Sequence, residues 1–199
     1  MFDRLARGNP FVEFYLAGGT ALALQLGHRR SVDFDFFVEG EFRPRDVALR
    51  LRALGRFEPW TEAANTLHGL LDGIRVSFLG YRYPLLEPLV QEGCLRLASA
   101  RDIACMKLSA VASRAAKKDF IDLFFLSKLI PLGEMLRDYH AKDVIEGLGD
   151  YQLLKSLTYF SEAENDPAPQ MLVPAVWDEV KAALTAAALA EAARLGVVF

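Results

Sequence analysis

The chain has 199 residues, 52% hydrophobic and 25% charged, with a formal net charge of −3. That balance excludes a disordered chain and supplies ample material for a core, while the slight acidity leaves a nucleic-acid partner to be argued from a local basic strip rather than from net charge. No apolar run approaches the roughly 18 residues a membrane span needs, and the charged opening MFDRLARGNP lacks the apolar segment of a signal peptide, so a soluble, cytoplasmic protein with no membrane partner is expected.

Residues 1–10 read as a lead-in. Phe11 to Leu16 is a compact apolar stretch that runs into Gly18-Gly19-Thr20, and the helix formers from Ala21 to Leu26 stop at Gly27, a helix-ending signal. Ser31 to Val38 has period two, which predicts a strand with Val32, Phe34 and Phe36 on one face and Ser31, Asp33, Asp35 and Phe37 on the other. Arg43 to Leu54 predicts a helix with Val47, Leu51 and Leu54 inward. Strand patterning returns at Phe57, and Asp72-Gly73 between Thr66–Leu71 and Ile74–Leu79 is a hairpin signal. Tyr83-Pro84 and Glu87-Pro88 break regular structure.

The remainder reads as helical: Ala100–Ala116, Asp119–Leu129 up to a break at Pro131-Leu132-Gly133, Glu134–Glu146, Asp150–Phe160, a loop at Asn165–Pro169, and a closing helix over Val176–Arg194. The expected fold class is α+β, with a mixed sheet and helices over residues 1–97 and a helical bundle over 98–199.

The chemistry concentrates in the first part. A Gly-Gly turn lets the backbone approach a ligand closely, and free amides there hold phosphate oxygens. Thr20 adds a hydroxyl or caps the helix. Two residues apart on a strand, Asp33 and Asp35 place both carboxylates on one face, about 7 Å apart at Cα. Such like charges invite a hard divalent cation with oxygen ligands, and two metals would clamp a phosphoryl displacement. Gly-Gly-Thr alone is a turn and a cap, and Asp-x-Asp alone is a solvated strand face. Their order and closeness argue for a metal and nucleotide site. Arg30 is placed to pair with Asp35 or with a phosphate.

In the helical part, Lys107 offers a compact charge suited to a triphosphate. Arg114 lies two turns further on the same face, and Asp119 and Asp122 share a face of the next helix. The plain alternative is an ordinary ion-pair network. His28, His68 and His140 show no ligand spacing, although His28 sits close enough to the glycine turn for a substrate contact. Trp60, Tyr81, Tyr83 and Trp177 read as core or rim positions rather than base-stacking platforms. Cys94 and Cys105 make no metal pattern and read as buried free thiols.

Gly18-Gly19-Thr20-Ala21-Leu22 followed by Arg30-Ser31-Val32-Asp33-Phe34-Asp35-Phe36-Phe37 resembles the signature of the AbiEii toxin family, part of the DNA polymerase β-like nucleotidyltransferase superfamily. Met106-Lys107-Leu108, Arg114, Lys117–Leu123 and Tyr159–Pro167 resemble later motifs of the same family. The resemblance implies a nucleotidyltransferase with a catalytic sheet followed by a helical bundle, an NTP bound between them, and Mg²⁺ (or Mn²⁺) on Asp33 and Asp35. It implies nucleotide contacts from Gly18, Gly19, Thr20, Arg30, Ser31, Lys107 and Arg114, and catalytic roles for Asp33, Asp35, Lys107, Asp119 and Asp122. Members are toxins of toxin–antitoxin or phage-defence systems, so a cognate antitoxin and an acceptor such as tRNA, another RNA or a protein are implied partners.

One departure stands out. Polymerase β-like enzymes generally carry a third carboxylate on a neighbouring strand, and the expected slot on Ile74–Leu79 holds Ser77. A serine neither ligates as a carboxylate nor acts as a base. Two readings stay open: another base, with Asp119 and Asp122 the candidates, or a weakened nucleotide-binding module that works through a partner. Asp72 is accounted for by its turn.

Overall fold

Residues 10–142 and 148–198 are described by a computed structural model. They divide into two compact units, Met1–Ala21 with Ser31–Ser99 and Leu22–Arg30 with Ala100–Phe199, so the boundary falls inside one helix. Among the described residues no helix is long and apolar enough to cross a membrane.

The first unit is built on a seven-stranded sheet: β1 (Tyr15–Ala17), β2 (Phe34–Val38), β3 (Phe57–Ala63), β4 (Thr66–Leu71), β5 (Ile74–Gly80), β6 (Val90–Glu92) and β7 (Leu95–Leu97), in the order β3-β4-β5-β2-β1-β7-β6. The pairs β2/β5 and β1/β7 are parallel and the others antiparallel, a mixed sheet as expected. Alternation sets the two faces. Phe34 and Phe36 of β2, Val76 and Phe78 of β5 and Leu67 of β4 are buried. The Phe78 ring centroid lies 4.7 Å from that of Phe11, 5.0 Å from Phe14 and 4.9 Å from Phe36, an aromatic cluster at the centre of this core. Helix α2 (Pro44–Leu54) begins with proline in its first turn and buries Val47, Ala48 and Leu51. The Asp72-Gly73 turn joins β4 to β5 with positive φ at both residues (50° and 82°), the backbone a two-residue hairpin of this hand requires.

Short strands escaped the sequence reading. β1, β6 and β7 have three residues each, too few to show a period. The strand expected from Ser31 begins only at Phe34, and Val32, read on one face with the buried Phe34 and Phe36, is 69% exposed. Pairing explains the difference: both partner strands of β2 take it up no earlier than Phe34.

Helix α1 (Gly18–Leu26) follows β1 directly. The second unit then contains α3 (Ala100–Arg114), α4 (Lys117–Ser127), α5 (Leu132–Lys142), α6 (Asp150–Ser156), α7 (Ser161–Glu164) and α8 (Trp177–Leu195). Helix α3 is buried on several sides, which fits its lack of a single apolar stripe. It ends two residues earlier than expected because Ala115 takes a left-handed conformation (φ 47°). Helix α4 starts where the Asp166 carboxylate accepts the Lys117 backbone N–H at 2.9 Å, satisfying one orphan donor of the first turn. Leu132 and Gly133, read as a break, lie in the first turn of α5, whose onset follows Pro131. The helix expected over Asp150–Phe160 stops at Ser156, and α7 was not foreseen. Val180, Leu184, Ala188 and Ala192 form a stripe at four-residue spacing that buries one side of α8, which closes on Gly196 in the left-handed region. Residues 1–9 of the lead-in and 143–146 of the helix expected to end at Glu146 lie outside the described residues.

Candidate functional site

In the first unit the site begins at the end of β1. Ala17 pairs with Asp35 across the antiparallel β1/β2 ladder, so the next residue, Gly18, meets the Asp35 side chain. Gly18 has φ +66°, and a Cβ placed on it would lie 3.2 Å from Asp35 Oδ2. Glycine is thus required twice here, for its left-handed backbone and for the space beside a carboxylate. Two residues on, the buried Thr20 places Oγ1 2.8 Å from Ser31 Oγ and against the Asp33 carbonyl. Its hydroxyl ties the loop before β2 to the start of α1 instead of capping the helix.

That tie sets Asp33 immediately before β2 and Asp35 within it, both half-buried. Among the described residues, no side chain of the first unit donates a hydrogen bond to either carboxylate or forms an ion pair with it. Two half-buried carboxylates left bare at a strand start are costly unless a cation or water satisfies them. Hard oxygen donors, two carboxylates and a cleared space at Gly18 suit Mg²⁺, which binds through one or two carboxylates while keeping waters and substrate phosphates. Among the described residues no three His, Cys, Asp or Glu side chains gather as a metal cage.

The register continues the row. Asp35 pairs with Ser77 of β5, and Ser77 pairs with His68 of β4. Neighbours in such a row point to the same side of a sheet, so Asp35, Ser77 and His68 share one face.

The second unit holds a buried ionic cluster. Lys107 Nζ lies 2.7 Å from Asp119 Oδ1 and 2.6 Å from Asp122 Oδ2. Arg114 forks onto Asp119, with Nε 2.8 Å from Oδ2 and Nη2 3.0 Å from Oδ1. Arg29 forks onto Asp122, with Nε 2.6 Å from Oδ1 and Nη2 2.8 Å from Oδ2. His28 Nε2 adds a fourth bond to Asp122, 2.8 Å from Oδ1. Asp119, Asp122 and His28 are fully buried. His28 Nδ1 has no partner among the described residues. Because a carboxylate oxygen only accepts, His28 Nε2 is the donor of its bond to Asp122.

Burial alone would push both aspartates up. The bonds from Arg114 and Lys107 nevertheless hold the Asp119 carboxyl below its ordinary value, and those from Arg29, His28 and Lys107 hold Asp122 well below its own. The segment that carries His28 and Arg29 is fixed by backbone pairing: Leu172 and Val173 N–H groups donate to the His28 carbonyl, and the Arg30 N–H donates to Gln170. Arg30 itself is exposed.

The structure thus gathers Gly18, Thr20, Ser31, Asp33 and Asp35 in the first unit, and Lys107, Arg114, Asp119 and Asp122 in the second. The sequence alone gives Arg29 no role beyond preceding the aspartate strand, and gives His28 only a substrate contact. Their adjacency to Arg30 was a weak signal, since the Asp122 that unites them lies more than 90 positions on. Other charged features stand apart. Lys142 and Asp102 form a separate buried pair at 2.5 Å, and beside it burial pushes the Cys105 thiol up to about 12, an inert free thiol as expected. Cys94, expected to be buried, is exposed on the β6–β7 turn, a solvent position because that turn connects two short strands at the sheet edge. His140 pairs with Asp150 at the surface.

Known proteins resemble this chain on both levels. The family model described as "Nucleotidyl transferase AbiEii toxin, Type IV TA system" matches residues 1–69. The uncharacterized protein aq_aa25 of Aquifex aeolicus (strain VF5) is 39% identical over 173 residues, covering 85% of this chain and 83% of that protein. MenT4, a nucleotidyltransferase toxin from Mycobacterium tuberculosis H37Rv, superposes with a TM-score of 0.60 at 19% identity over 93% of this chain and 79% of its own. JHP933 from Helicobacter pylori gives 0.57 at 18% identity over 97% and 88%, and a nucleotidyltransferase-like structure from H. pylori gives 0.57 at 17% over 97% and 90%. At these identities the structures speak to the fold.

Proposed function

The chain belongs to the AbiEii nucleotidyltransferase family, and from that premise we propose that it transfers a nucleoside monophosphate from an NTP to a hydroxyl of an RNA acceptor such as tRNA, in a toxin–antitoxin or phage-defence setting with a cognate antitoxin. The observation that carries this reading is the bare pair Asp33 and Asp35 beside the glycine turn, where an ideal Cβ on Gly18 would stand 3.2 Å from Asp35 Oδ2.

In this reading Asp33 and Asp35 are the residues that would hold Mg²⁺ (or Mn²⁺), whose chemistry there would be charge neutralisation on the phosphates. The backbone at Gly18 and Gly19 takes phosphate oxygens. Thr20 and Ser31 act through each other, fixing the loop that presents Asp33. The acceptor oxygen bonds to the α-phosphorus, the bond to pyrophosphate breaks, and the hydroxyl proton leaves to water. In the helical unit Lys107 and Arg114 are the candidates for phosphate recognition. Lys107 spends two of its three donors on Asp119 and Asp122 and keeps one for a ligand.

The same geometry recasts the two helical aspartates. Asp122 accepts four bonds, two per oxygen, and is fully buried, so it has no lone pair or basicity to spare. Asp119 is likewise buried and forked by Arg114. Both are positioning residues for Lys107, not bases. The Ser77 register beside Asp35 leaves the third carboxylate slot empty, which supports transfer driven mainly by positioning and charge neutralisation. The weakened-module reading finds less support, because the family match spans the glycine turn and both aspartates.

Isothermal titration of the protein with each NTP, with and without Mg²⁺, tests the site, with Asp33→Asn/Asp35→Asn as control. Mg²⁺-dependent binding that the double variant loses is expected, followed by labelling of total tRNA from radiolabelled NTP. Absence of binding by folded wild-type protein to every NTP would sink the reading. Tight binding with no labelling of any acceptor would favour the binding module.

A further inference from the structure

Trp60 stands out on the sheet. It lies on β3, the edge strand, and is 55% exposed. The β3/β4 register shifts between Pro59 and Thr61, so Trp60 is the extra residue of a bulge. Bulges re-aim side chains, and this one turns the indole onto His68. The two rings are parallel to within 6° with centroids 6.4 Å apart, an offset stack. The sequence reading placed Trp60 in the core or rim. The bulge is what brings it out.

The location of this pair is specific. His68 pairs with Ser77, and Ser77 with Asp35, on one face of the sheet. Two strand spacings, roughly 10 Å, separate the His68 and Asp35 backbones. That is a reach one or two nucleotides can cover. Arg75 lies two residues before Ser77, on the same face and exposed. Glu58 and Glu62 are the acidic neighbours on β3, and Arg56 pairs with Glu58 at 2.8 Å. An exposed indole backed by a second flat ring offers a sequence-tolerant surface for a base, since every nucleobase has a π-face.

We propose that Trp60, backed by His68, is a stacking platform for a nucleobase, namely that of an unpaired 3′-terminal nucleotide of an RNA acceptor whose hydroxyl reacts beside Asp35. This rests on the nucleotidyl-transfer reading above. The base of the NTP carries the same chemistry, and the test separates the two sources.

The experiment measures two affinities in wild type, Trp60→Ala and Trp60→Phe. One is for a short fluorescein-labelled single-stranded RNA, with and without a base on its 3′-terminal nucleotide. The other is for NTP with Mg²⁺. Loss of one stacked base predicts a roughly 5- to 100-fold weaker RNA affinity in Trp60→Ala, largely restored in Trp60→Phe, with NTP affinity unchanged. The abasic RNA should bind wild type as weakly as the intact RNA binds Trp60→Ala. A drop in NTP affinity with unchanged RNA affinity would overturn the acceptor assignment and give the platform to the NTP. Equal RNA and NTP affinities in wild type and Trp60→Ala, or no RNA binding by wild type, would overturn the platform outright. Neither readout requires turnover: loss of the platform in a protein that still labels tRNA condemns this inference alone, and Trp60-dependent RNA binding without any labelling condemns nucleotidyl transfer alone.

Discussion

His28 Nε2 donates to Asp122 Oδ1 at 2.8 Å, on the same oxygen that takes Arg29 Nε. Residues more than 90 positions apart are thus locked in one buried polar network, and Lys107 inherits its position from it. Removing the acceptor should be severe. Asp122→Ala leaves Arg29 and Lys107 buried without their partner, so a loss of about 3–5 kcal/mol is expected. His28→Ala removes one of the four bonds to the Asp122 carboxylate and some packing against Phe125, 4.9 Å away, and should cost less, about 1–3 kcal/mol. Urea unfolding of the two variants checks the order, and a costlier His28→Ala would contradict the network as drawn.

Acid should act through the same carboxylates. Folding holds the Asp119 and Asp122 carboxyls below the ordinary aspartate range. The sign follows: groups depressed by folding contribute stability that is complete above the unfolded value and fades as pH falls through the folded one. The melting temperature should hold steady down to about pH 4 and fall below it. In Asp119→Asn, with one of the two groups gone, the fall should be shallower. Melting curves of both proteins between neutral pH and pH 2 measure the difference.

Gly18→Ala tests the glycine turn. At φ +66° an L-residue costs about 1–2 kcal/mol, and its Cβ would press on Asp35 Oδ2 from 3.2 Å. A modest drop in stability with a larger drop in Mg²⁺-dependent NTP affinity is expected. Gly27→Ala is the control, since it shares the positive φ (61°) with nothing within 4 Å of its Cβ. Equal effects of the two on NTP affinity would show that the space beside Asp35 is immaterial.

Ser77→Asp would place a third carboxylate next to Asp35 in the β2/β5 register. Without metal, a further like charge should destabilise the protein; with Mg²⁺ or Mn²⁺ it should gain affinity for the cation. Thermal shifts with and without the ions read both effects. A variant indifferent to divalent ions would remove Ser77 from the metal site.

Much of this was already legible along the chain. Period-two patterning marked β2, β4 and β5, Asp-Gly marked the hairpin, and Gly-Gly-Thr with Asp33 and Asp35 marked the candidate site proposed above, because each is a local rule written in neighbouring residues. The lysine and the three helical partners Arg114, Asp119 and Asp122 were also visible, since helical spacing groups them. What one dimension left open needed tertiary contact. The three-residue strands exist only through their pairing partners. The four bonds on Asp122 were not legible, because Arg29 and His28 arrive from a distant segment to make three of them. Trp60 faces solvent because a bulge on an edge strand, which no local pattern announces, turns its ring outward. Local periodicity and turn chemistry belong to the sequence; the satisfaction of buried charge and the aim of a side chain belong to packing, which brings distant residues within bonding range.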